Sequence, residues 1–418
     1  MADAAQPDLQ AQLDFLRRKM TAAAERVEQR MIARANLPKP SLQDIVPGEE
    51  IATPHGRHWE TTRVWEHHRR HGNMEIARLQ DLPPDLLAQL TEGAVTEAHP
   101  ETWAFLDTET TGLAGGAGTC AFLIGVGRIT PRGFEVRQFF MRDYDEEKSQ
   151  LHALTEALTG AQVLVTYNGK CFDVPLLETR YRLSRARPPF DEIPHLDLLF
   201  SARRLWRLRL DNCRLVELET SILGHEREGD IPGQMIPEVY FDWVRSGAVA
   251  RLAPVFHHNA LDIVSLACLT GVVPWAFRDP SAQENRHAAE SVSLGRWLRQ
   301  NGQIEQARDL FRSAIRRNLR DDLMFRTIWD LAELEKKLGA VGEALTLYHD
   351  LASGRNPFQA QSLVALAKIY EHHVKDYRAA LTATEQALTL EHSEELDRRK
   401  LRLLSRLRQQ RLPSIDAN

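Results

Sequence analysis

The chain has 418 residues with a formal net charge of −5, 43% of them hydrophobic and 27% charged. That balance fits a globular protein of two or three domains, not the strongly basic composition that by itself points to nucleic acid. No apolar run of eighteen or more residues predicts a membrane span, and the polar N-terminus lacks an apolar signal core. Four scattered cysteines (Cys120, Cys171, Cys213, Cys268) form no Cys-x-x-Cys pair, which argues against structural zinc or a secreted disulfide framework and makes the cytoplasm the expected location.

Residues from about Asp8 to Ala35 have helical apolar spacing (Leu9, Leu13, Leu16, Met20, Val27), ended by the Pro-rich stretch Leu37 to Pro47. Gly48 to Ile51 and Arg57 to Trp65 suit short strands. His55, His58, His67, His68 and His71 crowd this region without a metal-ligand spacing, so they read as solvated surface histidines. From Thr102 the pattern changes. Trp103 to Leu106, Cys120 to Ile129 and Phe134 to Met141 predict strands, followed by a helix over Glu146 to Thr159 and the strand Val163 to Val165. Helices are expected over Pro175 to Leu183, Leu199 to Leu208, Arg214 to Leu223 and Pro237 to Ser246, with a long apolar one over Leu261 to Phe277. Strands followed by helix and strand indicate an α/β layer fold. Arg278 to Asn285 has the composition of a linker.

The C-terminal third is nearly all helix and repeats small residues roughly every 34–37 positions, the tetratricopeptide period. The units are Leu294-Gly295 with Ala307, Phe311 and Ala314; Leu331-Ala332 with Ala344 and Tyr348; and Ala367 with Ala380 and Ala387, with one inserted residue near His373. An ordinary helical bundle is the alternative. The expected organisation is an N-terminal helix and small accessory region (1–100), an α/β domain (101–278) and a tetratricopeptide-like helical repeat (286–411).

Acids stand at element boundaries in three separated segments. Asp107 and Glu109 follow the first apolar strand, and residues two apart in an extended chain share a face. Asp173 opens a helix just after the strand Val163 to Val165, and Asp262 lies in His257-His258-Asn259-Ala260-Leu261-Asp262 at the expected start of the long apolar helix. Carboxylates at the ends of buried strands are costly unless something pairs with their charge, and two divalent cations would.

These segments resemble the three motifs of the DEDD 3′–5′ exonucleases, a branch of the RNase H-like fold, and more narrowly the YprB-type bacterial ribonuclease H-like proteins, some of which also carry tetratricopeptide repeats. The match runs from Thr102 to about Phe277 and rests on Asp-Thr-Glu-Thr-Thr-Gly-Leu, Tyr-Asn-Gly-Lys-x-Phe-Asp, His-Leu-Asp-Leu at His195 to Leu198, and His-Asn-x-x-Asp ending at Asp262. The resemblance implies an RNase H-like mixed sheet flanked by helices. It implies Asp107, Glu109, Asp173 and Asp262 as carboxylates for two Mg²⁺ or Mn²⁺ ions, and hydrolysis of single-stranded DNA or RNA. In one branch a histidine stands five positions before the last Asp, the place of His257. In the other a tyrosine stands four before it, where this chain has His258. Histidine serves as a general base near neutral pH, so both remain candidates, with His257 the positional match. Thr110, Gly112 and Leu113 are expected to offer backbone groups to a terminal nucleotide. Asn168 either bonds substrate or caps a turn.

Gly115 to Gly118 suits a flexible connection, and Asp197 a helix N-terminal acid. Arginines from Arg180 to Arg214, with Trp206 among them, suggest a surface that contacts phosphates and stacks bases, or else solvated helix faces. The basic tail Arg398 to Arg411 reads as a solvated helix. Two other classes compete with an exonuclease: a binding module whose repeats are the functional scaffold, and an endonuclease or junction resolvase on the same fold. The repeats are expected to bind a protein partner, and no membrane is expected.

Overall fold

Nine extended segments among the described residues build a mixed seven-stranded sheet and a two-stranded ribbon. The structure is a computed structural model and describes residues 17–23, 25–26, 41–91, 93–112, 118–281 and 286–411. The main sheet has the order β1-β2-β7-β6-β5-β8-β9. Its strands are β1 (Glu49–Thr53), β2 (Gly56–Glu66), β5 (Trp103–Thr110), β6 (Ala121–Thr130), β7 (Gly133–Phe140), β8 (Val163–Thr166) and β9 (His195–Asp197), and β3 (Arg70–His71) pairs with β4 (Met74–Glu75). β5 runs antiparallel to β6 and parallel to β8, and β9 continues the parallel edge. The hairpin β1–β2 extends this sheet, with β2 pairing along β7 from Trp59↔Phe140 to Glu66↔Gly133.

Helices cover both faces. α1 is Leu42–Ile45, α2 Glu147–Ala157, α3 Asp173–Leu183, α4 Leu198–Trp206, α5 Leu215–Leu218, α6 Ile236–Ser246, α7 Leu252–Thr270 and α8 Val273–Arg278. Along β5 the period of two separates the layers. Trp103 and Phe105 pack with Ile263 and Val264 of α7, whereas Ala104 and Leu106 pack with Leu151 and Leu154 of α2 and Leu177 of α3. Both cores are therefore read from one strand.

α7 begins at Leu252, nine residues before the position expected. Pro254 is tolerated because it falls in the first turn, where backbone N–H groups have no intrahelical acceptor. His258 and Asp262 thus share one face of a continuous helix. Val249–Arg278 is, against expectation, long and apolar enough to cross a membrane, yet it is mostly buried inside the protein and forms its core helix.

Beyond residue 285 the chain is helical: α9 (Ala288–Gln300), α10 (Ile304–Ile315), α11 (Asp321–Lys337), α12 (Val341–Ser353), α13 (Gln359–Ile369), α14 (Tyr377–Leu390) and α15 (Glu394–Arg411). The small residues lie where helices approach. A Cβ on Gly295 would stand 2.6 Å from the Phe311 ring, and Ala307, Ala332, Ala344, Ala367, Ala380 and Ala387 are all buried. The inserted residue near His373 falls in a π-helical turn, Tyr370–Val374, which absorbs it. Arg209 bridges to Glu290 at 2.6 Å, and Phe277 meets Trp297 edge-on, so the helical region continues the core of the sheet layer. The N-terminal helix expectation lies largely outside the described residues, of which 17–23 and 25–26 are helical.

The surface reading fails for two of the five clustered histidines. His58 is fully buried, with Nδ1 2.9 Å from the Ser149 hydroxyl. His71 is 2% exposed, has its ring 4.0 Å from the tilted ring of His225 and bonds the Ser265 hydroxyl at 2.7 Å. Burial, with His225 and Arg227 nearby, pulls the His71 pKa from 6.5 down to about 3. Between those values the unfolded chain binds more protons than the folded one. Stability is therefore full above pH 6.5 and is lost as pH falls, by about 2 kcal/mol at pH 5 from this group. Urea unfolding of His71→Gln at pH 7 and pH 5 is expected to show a smaller acid loss than wild type. Equal losses in the two proteins would contradict this account.

Candidate functional site

Pairing of β5 with β8 stops at Phe105↔Val165, so Asp107 to Thr110 run on past the end of β8. This opens a crevice beyond the carboxyl ends of the parallel strands, the usual place for ligands in such sheets. Asp107 and Glu109 project from one face of β5, and Asp173 enters as the first residue of α3. A turn joins β8 to α3, and Asp197 pins it. Its carboxylate accepts the N–H of Asn168 (2.8 Å) and of Lys170 (3.1 Å), besides capping α4 at the Leu199 N–H. Asn168 takes a left-handed conformation there, φ 69°. The Thr108 hydroxyl donates to Asp173 Oδ1 at 2.5 Å. The resulting cleft, about 650 Å³, is lined by Asp107, Glu109, Thr110, Gly112, Asn168 and Asp173, with exposed Phe172 at its side.

Burial raises the carboxyl pKa of Asp107, and the nearby Asp262 and Asp173 raise it further, against the Asn259 hydrogen bond. Glu109 is raised by burial and then by Asp107, Asp262, Asp173 and Asp230. Burial pushes Asp173 up to about 6. Acids from separate segments therefore crowd one low-dielectric place. As hard oxygen donors that repel one another, Asp107, Glu109 and Asp173 fit a divalent cation, which would relieve the repulsion. In the present arrangement no three His, Cys, Asp or Glu side chains among the described residues form a group that could hold an ion. Asn259 holds Asp107, Thr108 holds Asp173, and Arg227 holds Asp262.

The partner of Asp107 was not singled out from sequence. Asn259, fully buried on α7, donates to Asp107 Oδ2 at 2.8 Å and accepts from Gln138 Nε2 at 2.8 Å, while Gln138 accepts from Thr61. This polar chain crosses β6 at Gly125, where a Cβ would lie 2.3 Å from Asn259 Oδ1. The glycine is what lets a helix side chain reach the next strand. Asn259 stood inside the His-Asn-x-x-Asp motif, which was the one available signal. Asn259→Ala leaves Asp107 without its buried donor and Gln138 with only Thr61 and the Phe256 carbonyl, and is expected to cost about 1–3 kcal/mol of stability. Denaturant titration checks this, and a loss near zero would show that the chain does not hold Asp107.

Arg227 is the second group that sequence reasoning missed. It lies on the loop after α5, 5% exposed at the side chain, forked over Glu219 at 2.5–2.6 Å and bonded to Asp230 at 2.9 Å and to Asp262. Burial works against its charge, but Glu219, Asp262 and Asp230 outweigh it and hold the guanidinium pKa above its ordinary value. Asp230, lowered by Arg227 and His258 against the effect of burial, bonds His258 Nδ1 at 2.8 Å. His258 Nε2 stands 3.7 Å from Asp262 and faces Gly233, a residue of the cleft wall. His257 turns to the other side of α7, with Nδ1 3.4 Å from Arg63, in a separate pocket with Thr61 and Phe256.

Among the remaining expected site residues, the Thr110 hydroxyl donates to the Gly112 carbonyl, and Leu113 lies outside the described residues, as do Gly115 to Ala117. The arginine surface needs correction. Trp206 is 2% exposed and stacks with no base, because it fills the core under α4. Arg180, Arg182, Arg187 and Arg209 are salt-bridged to Glu147, Glu178, Glu192 and Glu290. Arg203, Arg204, Arg207 and Arg214 are exposed. They stand on the segment whose Cys213 carbonyl accepts the hydroxyl of Tyr167, a residue of the cleft wall.

Comparison with known proteins agrees with this architecture. Residues 104–273 match the family model described as RNase_H superfamily. The uncharacterized protein YprB of Bacillus subtilis (strain 168) is 33% identical over 287 residues, 68% of each chain.

Proposed function

The chain belongs to the RNase H superfamily, in the family that includes YprB, and from that premise we propose that it is a divalent-metal-dependent nuclease, a 3′–5′ exonuclease on single-stranded DNA or RNA. The observation that carries this reading is the convergence of Asp107, Glu109 and Asp173 on one cleft, each raised in pKa by burial. Those three carboxylates would hold Mg²⁺ or Mn²⁺, and Asp262 stands ready for a second ion once free of Arg227. When bound, such ions supply Lewis acidity toward a phosphodiester. The protein's own groups do the rest. Asp230 fixes the proton of His258 on Nδ1, so that Nε2 is the face free to take a proton from the attacking water. Asn168, Thr110 and Gly112 line the place of the terminal nucleotide, and Arg203, Arg204, Arg207 and Arg214 meet phosphates of the strand behind it. The helical region is proposed as a tetratricopeptide-like scaffold for a protein partner. The four cysteines are all free thiols, which suits the proposed cytoplasmic location.

A second reading, a binding module without turnover, draws on the hold of Arg227 over Asp262. End-labelled single strands of DNA and RNA, incubated with Mg²⁺ or Mn²⁺, separate the two. A ladder shortening stepwise from the 3′ end supports the exonuclease. Strand binding without cleavage in either metal supports the module.

A further inference from the structure

Arg227 occupies a built position. Glu219, fully buried in the π-helical turn Glu219–Leu223, anchors one side of its guanidinium, and Asp230 holds another donor. Of the two donors that remain, one on Nη2 is aimed at Asp262 Oδ1, and Nη1 stands 3.4 Å from His258 Nδ1. The second oxygen of Asp262 faces His258 Nε2. A guanidinium keeps its charge at any working pH and presents donors in a fixed fork, so it satisfies a carboxylate much as a cation would. Among the described residues, the side-chain donors to Asp107 and Asp173 are neutral, Asn259 and Thr108.

We propose that Arg227 is the resident counter-cation of Asp262, so that the chain binds one divalent ion tightly at Asp107, Glu109 and Asp173 and gains a second only when that ion displaces Arg227. The inference rests on the metal-site reading given above. It makes Arg227 a positioning residue that sets metal stoichiometry through Asp262. A second dication near Asp262 must either break the buried Arg227–Asp262 contact or sit beside a fixed positive charge, and both oppose binding.

The test counts bound Mn²⁺ on the full chain by the electron paramagnetic resonance signal of the free ion. Wild type is expected to take one tight equivalent. Removing Arg227 alone would strand buried Glu219, so the main variant is Arg227→Gln with Glu219→Gln. It is expected to bind a second equivalent at least about tenfold more tightly than wild type does. Arg227→Lys keeps a charge for Glu219 but loses the fork, and is expected to strengthen the second site in the same direction. Wild type binding two equal equivalents, or variants whose second equivalent is no tighter, would overturn the role of Arg227 and leave the nuclease reading standing. Wild type binding no Mn²⁺, like Asp107→Asn, would overturn both.

Discussion

Asp107→Asn is expected to reduce metal-dependent hydrolysis more than about 100-fold, because loss of even an outer partner of a metal ligand costs about 10–100-fold. The amide keeps the volume of the carboxyl and remains able to bond Asn259 after a flip, so packing of β5 against α7 is preserved. What it loses is a negative oxygen in the cleft. A second readout moves the opposite way. Burial, Asp262 and Asp173 all disfavour the charged form of Asp107 in the folded protein. Neutralising it removes a repulsion, so the melting temperature in chelator-containing buffer at pH 7 is expected to rise. A carboxylate kept at a cost to stability is the trade found at active sites. Unchanged turnover, or a variant less stable than wild type without metal, would count against Asp107 as a strained functional acid.

His258→Ala is expected to lower kcat by about 100- to 10,000-fold, the usual contribution of a general base, whereas His257→Ala leaves it close to wild type. The two residues are neighbours in sequence, but a helix rotates successive side chains by about 100°. His258 meets Asp230 at 2.8 Å and faces the cleft wall at Gly233, while His257 meets Arg63 in another pocket. Single-turnover assays at saturating Mn²⁺ separate loss of the base from weakened metal binding. Loss confined to His257→Ala would reverse the assignment and restore the positional match in the sequence. Asp230→Asn should reproduce part of the His258 effect, because the amide can present its donor to Nδ1 and favour the wrong tautomer.

The sequence by itself determined the local pieces. A short apolar strand ending in Asp107 and Glu109, a strand-to-helix turn ending in Asp173, and an apolar helix carrying Asp262 are all readable over a few neighbours. Their order was enough for the RNase H-like sheet with a helical region after it. Local periodicity also sets which residues share a face, which is why Asp107 and Glu109 came out together. Only the tertiary structure decided the partners of those acids. The start of α7 at Leu252 determines where each histidine points, and Gly125 opens the path from Asn259 to Asp107. Arg227 reaches Asp262 across 35 positions of chain. Those pairings depend on how distant segments close on one another, and no spacing within a single segment encodes that geometry. The acidic pair on β5 was legible from the outset, and the amide that holds Asp107 and the cation that holds Asp262 became visible only once the sheet and α7 were packed together.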